Sequence, residues 1–383
     1  MRDTQAERGW TPGSVVRLSL ANGIGFSATM SVPFWLGGVS ERFALPIWSG
    51  AALATGQLIC LAAFNILTPW LFRTQVRRHV GAFGAGVALA GNLLALAPHP
   101  AAFIAGCLLA GCGLGVMLNV TNRMVTEMDA VERTYSLFQI VEVAYSMAFM
   151  LFVPMLIARS SVVAIPVICA LLALFAVLMI RSLPETRSKE RETVVCHGSL
   201  LGRQALALAG MGLLFVGQSS INAYIIVLAS RLHIPVDTMG EVMAAGLVFG
   251  LGVGAITRWM GSRFGVVGPL WLGATALSIT LIVISMTDSQ AVFVVGTMMM
   301  FVWSVFNAPF AFTMLAHVDG SGRTASIGPA FLMIGVAIGP IVGSTIASFG
   351  STKAIGWVAA AIILAAAGLF NVAGRTLKQR VLG

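Results

Sequence analysis

Apolar runs of roughly 20 residues alternate with short polar breaks along almost the whole chain. A helix of that length crosses the roughly 30 Å hydrocarbon layer of a bilayer. The pattern therefore predicts an all-α membrane protein with twelve transmembrane helices, over 15–39, 47–72, 80–97, 101–122, 134–157, 162–180, 205–229, 241–260, 266–286, 291–315, 325–348 and 354–373. The longest polar break, RSLPETRSKERETVVCHGSLLGR from Arg181 to Arg203, carries both charge signs and reads as a solvated linker. It divides the chain into an N-terminal six-helix bundle, 15–180, a central loop, 181–204, and a C-terminal six-helix bundle, 205–373. Tails of 1–14 and 374–383 flank them.

Charge orients this array. All but four of the 23 Lys and Arg residues (Arg42, Arg159, Arg231 and Lys353) fall on one side if both termini are cytoplasmic. A shift by one helix would reverse that bias and violate the positive-inside preference. The sequence thus predicts a multi-pass protein of the cell membrane with both ends inside. A charged fraction of 10% is far below the roughly 25% of soluble domains, which excludes a sizeable water-soluble domain. Net charge +9 follows from orientation, and no nucleic-acid partner is expected. The opening MRDTQAERGWTPG lacks the apolar core of a cleaved signal peptide, so the first span acts as the targeting signal. Cys60, Cys107, Cys112 and Cys169 lie in spans and Cys196 in a loop; no disulfide, metal site or cofactor is expected.

The two halves share short matches at one offset. Arg133-Thr134-Tyr135-Ser136 before the fifth span recurs as Arg323-Thr324-Ala325-Ser326 before the eleventh, 190 residues later, and Arg73 after the second span meets Arg263 after the eighth. Equal span counts and these matches point to an internal duplication. In this layout the chain resembles the major facilitator superfamily along its whole length. Local motifs differ. The turn after span 2 keeps Arg73, Arg77 and Arg78 but lacks the family's acid, and Gly261-Ser262-Arg263-Phe264-Gly265 has Ser where Asp is usual. Gly111, Gly113 and Gly115 keep the glycine spacing of the proton-linked motif, with Cys107 in the place of its Arg. The antiporter-type pattern of Gly335, Gly339, Pro340 and Gly343 falls in span 11 rather than span 5.

The resemblance implies two six-helix bundles that rock about a midplane substrate site, lined by spans 1, 4, 7 and 10. Those spans carry Asn22, Asn119, Asn122, Gln218, Asn222 and Asn307, whereas span 6 has nothing more polar than cysteine. Unbonded amides in hydrocarbon cost several kcal/mol, so these helices face water, substrate or one another. Hydrogen bonding between helices is the structural alternative for each Asn. Glu142 is the one carboxylate well inside a span, where a charge costs at least about 2.5 kcal/mol and commonly marks an ion path or substrate contact. Gln139, Tyr145 and Ser146 stand three or four residues away on the same helix face. Glu142 is therefore the expected proton-coupling residue, a structural role being the alternative. Asn22, Asn119, Gln139, Tyr145, Ser146, Gln218, Asn222, Trp303 and Asn307 are the expected substrate contacts. The Met298-Met299-Met300-Phe301 run, with Trp303, Phe306, Phe310 and Phe312, suits amphiphilic or aromatic ligands. Arg73, Arg77, Arg123, Glu127, Arg133, Arg263 and Arg323 are expected to gate the cytoplasmic side. Arg17 is expected to snorkel from the first turn of span 1.

No HExxH, G-x-S-x-G or phosphate-loop motif occurs, which argues against a membrane enzyme and against ATP drive. Short loops offer little surface for a receptor or scaffold. The sequence reads as a secondary transporter expected to be proton-coupled, with export by antiport favoured slightly over a proton-coupled uptake symporter or a facilitator for an organic nutrient. Its partners would be a small-molecule substrate, H+ and lipid, and the resemblance implies a monomer.

Overall fold

The computed structural model describes residues 11–72, 77–126, 131–184, 202–318, 323–349 and 351–381. All regular structure among them is helical: α1 Pro12–Gly25, α2 Ser27–Phe43, α3 Ile47–Leu71, α4 Arg77–Leu94, α5 Pro100–Thr126, α6 Val131–Ser160, α7 Ala164–Arg181, α8 Gly202–Arg231, α9 Val236–Phe264, α10 Val267–Met286, α11 Gln290–Val318, α12 Arg323–Phe349 and α13 Lys353–Val381. Nine of these described helices are long and apolar enough to cross a membrane. Three of the expected twelve spans, the first, third and eighth, are not among these nine, and for the first and third the structure shows a local cause. The first span is two helices, because the chain turns at Phe26 with a tight bond from its N–H to the Gly23 carbonyl at 3.0 Å. Helix α4 opens on Arg77-Arg78-His79 and is only 18 residues long. Several helices also outrun their apolar cores. Helix α13 continues to Val381, where hydropathy placed a tail from residue 374, because a helix can extend into water once its apolar part is anchored.

The chain forms two compact units, one of residues 1–31 and 56–194, the other of residues 32–55 and 195–383. Within the first, α1 packs on α5, α6 and α7, and α4 packs on α5 and α7. Within the second, α8 packs on α11, α12 and α13, and α10 packs on α11 and α13. Each of these pairs in one unit has its counterpart in the other when α1 is matched to α8 and α4–α7 to α10–α13. The fold is thus two pseudo-symmetric helical bundles, as the shared 190-residue offset implies.

Small residues set the closest seams. Gly84, Ala88 and Gly91 on α4, with Ala95 just beyond its end, meet Gly106, Ala110 and Gly113 on α5, backbone against backbone. A Cβ added at Gly106 would stand 2.6 Å from the Gly91 carbonyl oxygen, and one at Gly84 would stand 2.8 Å from that of Gly113. Without a hydrophobic force between helices in lipid, such close contact supplies the dispersion that holds the pair together. A second face of α5 brings Gly111 onto the Gln57 carbonyl and Gly115 onto that of Leu61 in α3. In the other unit Gly335, Gly339 and Gly343 of α12 lie on Gly212, Ser219 and Ser220 of α8, while Gly217 of α8 faces the Ala359 carbonyl of α13. The glycine motifs of spans 4 and 11 are therefore helix-packing surfaces here. Gly265 closes α9 at φ 68°, ψ −152°, a backbone region that essentially only glycine occupies.

These seams predict opposite results for two glycines of α4 and α5. Gly106→Val should lower the thermal stability of the detergent-solubilised protein by the equivalent of about 1–3 kcal/mol, the usual cost of overpacking. Gly86→Ala, whose added Cβ meets nothing within 4 Å, should leave the melting temperature unchanged or raise it slightly. Melting followed by size-exclusion chromatography checks both.

Candidate functional site

Two prolines explain two of the polar side chains inside the bundles. Proline has no N–H, so in a helix it leaves the carbonyl four residues earlier without its partner. Pro69 in α3 frees the Asn65 carbonyl, and Asn119 of α5 donates to it through Nδ2 at 2.8 Å. Pro340 in α12 frees the Val336 carbonyl, and the Ser219 hydroxyl of α8 donates to it at 2.8 Å. Each bundle thus uses a side chain from a neighbouring helix to close the gap that an internal proline leaves. Asn119 is half engaged, since its Oδ1 is buried without a hydrogen bond.

Asn22 bonds between helices in the first unit. It lies 2% exposed, and its Oδ1 accepts from the Thr121 hydroxyl of α5 at 2.8 Å. The next residue, Gly23, lies against the ring of Tyr145 on α6. That ring also stacks obliquely on Phe149, with centroids 6.0 Å apart. The Tyr145 hydroxyl is buried near Ser27 and Cys169, but it forms no bond within hydrogen-bonding geometry. The turn at Phe26 brings Ser27 into this group, and Ser31 lies beside Cys169 as well. Glu142 sits on α6 one turn before Tyr145 and is half-buried. Among the described residues it has no hydrogen-bonding or ion-pair partner. Ser146, next to Tyr145, is buried at 5% exposure. The side chain of Gln139 lies outside the described residues.

In the second unit Gln218 and Asn222 are half-buried and one turn apart on α8. They fall on a third face of that helix, set off from the seams that Gly212 and Ser219 make with α12 and Gly217 makes with α13. The Asn222 Oδ1 is buried without a hydrogen bond. Asn307 occupies a different place. It is 1% exposed in the seam between α11 and α10, with its Oδ1 against Gly273, and neither amide atom is bonded. Trp303 heads an aromatic ladder on α11. Its ring meets Phe306 edge-on at 5.6 Å, and Phe306 meets Phe310 at 5.1 Å. Phe306 and Phe310 are buried in the bundle, so the ladder is anchored in protein rather than turned to lipid.

The expected gating residues are only partly described. Arg73 and Glu127 lie outside the described residues, and Arg133 and Arg323 have described backbones alone. Arg77 starts α4 and Arg123 lies in the last turn of α5, both half-buried. Arg263 is exposed at the end of α9, with its guanidinium 5.3 Å from the Trp259 ring centroid. Arg17 donates to the Ser182 hydroxyl at 2.6 Å and to the Gly13 carbonyl at 3.1 Å, which fastens the start of α1 to the end of α7. Sequence reasoning missed Thr121, Ser219, Ser27 and Cys169. A proline four residues beyond a carbonyl was the available signal for the Asn119 bond, but its donor is chosen by a helix 54 residues away.

Helices paired in this way, in two matched bundles, form the fold of the major facilitator superfamily, the architecture of multi-pass membrane proteins. Solved structures with the same fold include a mutant form of the nucleoside transporter NupG, at TM-score 0.75 and 15% identity over 94% of this chain and 99% of that one. A D-xylose–proton symporter matches at TM-score 0.73 and 14% identity, over 93% and 96% of the two chains. The POT family transporter PepTSo matches at TM-score 0.73 and 12% identity, over 97% and 99%. No protein-family model matches the chain, and no curated protein matches it in sequence.

The proline-capping bonds make a testable pair. Asn119→Ala should cost about 1 kcal/mol of stability, near the upper part of the range for hydrogen bonds between membrane helices. In a Pro69→Ala background, where the residue-69 N–H can bond the Asn65 carbonyl, the same substitution should cost clearly less. A double-mutant cycle of melting temperatures reads the coupling.

Proposed function

We propose that the chain is a secondary transporter that moves a small organic solute, amphiphilic or aromatic, by alternating access. The observation that carries this reading is Glu142. It is a carboxyl well inside a span, half-buried, and without a partner among the described residues. Holding a charge there costs at least about 2.5 kcal/mol, and a group that takes up and releases a proton avoids holding it throughout the cycle. Glu142 would therefore couple solute movement to protons. Solved structures of the same fold support the class, since their names describe a nucleoside transporter and a D-xylose–proton symporter.

The contacts proposed for the solute are Asn119, Tyr145, Asn222 and Asn307, each with a buried polar atom left unbonded, together with Gln139, Ser146, Gln218 and Trp303. A buried polar atom without a partner is costly, and a polar ligand or water would satisfy it. Asn22 supports this set by fixing α1 to α5. The aromatic and methionine-rich face of α11 suits an amphiphile. Arg73, Arg77, Arg123, Glu127, Arg133, Arg263 and Arg323 would form the cytoplasmic gate. The protein would work as a monomer in the cell membrane, both termini inside, as an exporter exchanging solute for H+. Proton-coupled uptake is the second reading, favoured by the symporter among the structures of the same fold.

Reconstitution in liposomes with a pH-sensitive dye inside tests the reading. Pooled amphiphiles and organic acids are added outside to wild type and to Glu142→Gln. Solute entry by antiport should make the interior more alkaline, whereas symport should acidify it. Either pH change should vanish in Glu142→Gln. Normal proton movement in that variant, or labelled solute crossing with no pH change, would make Glu142 structural.

A further inference from the structure

Helices α4 and α7 pack directly on each other, with Gly81 against Ile180, and leave an open groove beside their seam. The groove holds about 570 Å³ and is lined by His79, Phe83, Gly86 and Ala90 from α4 and by Val177 and Arg181 from α7, among others. These positions repeat every three or four residues on each helix, so each helix offers one continuous stripe. Gly86 makes the trough: a Cβ there would meet nothing within 4 Å. Phe83 forms a standing wall, 56% exposed. Both polar residues lie at one end. His79 is in the first turn of α4 and Arg181 in the last turn of α7, and both are exposed. The remainder is apolar.

This arrangement matches one half of a bilayer in length. Eleven residues separate His79 from Ala90, about 16 Å at 1.5 Å per residue. One leaflet contributes about 15 Å of hydrocarbon. An exposed cation at the membrane surface above an apolar trough one leaflet deep is complementary to a single amphiphile with an anionic head. The helix ends concerned carry the basic residues that the positive-inside preference places in the cytoplasm, the side rich in anionic lipid.

We propose that this groove binds one anionic phospholipid, its phosphate held by Arg181 and His79 and an acyl chain laid along Phe83, Gly86 and Ala90. The site is formed entirely within the first unit and does not depend on the transport reading. The lipid is recognised by charge at the head and by shape along the chain, since a side chain at position 86 would fill the trough. Occupancy would brace α4 against α7.

The test uses the full chain in a neutral detergent, with native mass spectrometry and thermal unfolding as readouts. The probes are phosphatidylglycerol, phosphatidylcholine and inorganic phosphate. Wild type should retain phosphatidylglycerol about tenfold more tightly than phosphatidylcholine, the order expected from surface cations acting on an anionic head. The double variant His79→Gln, Arg181→Gln should bind the two lipids equally. Gly86→Leu should lose both lipids while melting without lipid as wild type does; if it does not fold, Ala90→Leu, at an exposed groove position, gives the same readout. Unchanged preference in the double variant overturns the proposal. So does stabilisation by inorganic phosphate equal to that by phosphatidylglycerol, which would make this a free-anion site. Dimerisation that the groove variants abolish would also overturn it, since a second copy would then be the occupant.

Discussion

Hydrocarbon offers no hydrogen bonds, and much of this structure answers that constraint. Every kink that helps a helix bend also strips a carbonyl of its partner, and the protein must supply a replacement from within. Pro69 and Pro340 show the solution in its simplest form, with Asn119 and Ser219 reaching across from neighbouring helices to the stranded carbonyls. The bend and the polar side chain therefore form one device. It ties a proline-containing helix to a neighbour in each bundle.

Close approach is the other half of that design. A short side chain can reach a neighbour's backbone only if the helix axes lie near each other, and the glycine–alanine seams allow this. Gly115 on the Leu61 carbonyl and Asn119 on the Asn65 carbonyl are successive turns of the same α5–α3 contact. Likewise Gly335 and Gly339 flank Val336, whose carbonyl Ser219 caps. Polar contact and small-residue packing are thus one interface, and an amide here can serve structure while still presenting its other atom. Asn119 does so, with Nδ2 bound and Oδ1 buried but unbonded. In contrast, Glu142 has no partner among the described residues, and the proposed proton coupling rests on that.

The lipid groove follows the same logic on the outer surface of the first unit. Gly86 does not pack on a neighbouring helix as Gly84 and Gly91 do, although it belongs to the same glycine-rich stretch. A small residue that serves no seam leaves room for a molecule that is not protein, and the two basic side chains at the end of the trough select its head.

Much was legible in the sequence because it depends on composition along a line. The helical class and the long apolar segments follow from hydropathy, although nine described helices rather than twelve are long and apolar enough to cross a membrane. Glu142 was legible for the same reason: a carboxyl in an apolar run is costly wherever the run folds. What the amides do was not legible. Asn22, Asn119 and Asn307 look alike in sequence, yet one bonds Thr121, one caps a proline gap and one lies unbonded against Gly273. The glycines of spans 4 and 11, which resemble coupling motifs on paper, are seams in space. Sequence by itself determined which segments are apolar enough to form membrane-spanning helices, because that is a one-body balance between each helix and lipid. Only the tertiary structure decided which polar atom meets which partner, because that balance is between helices far apart in the chain and turns on separations of an ångström.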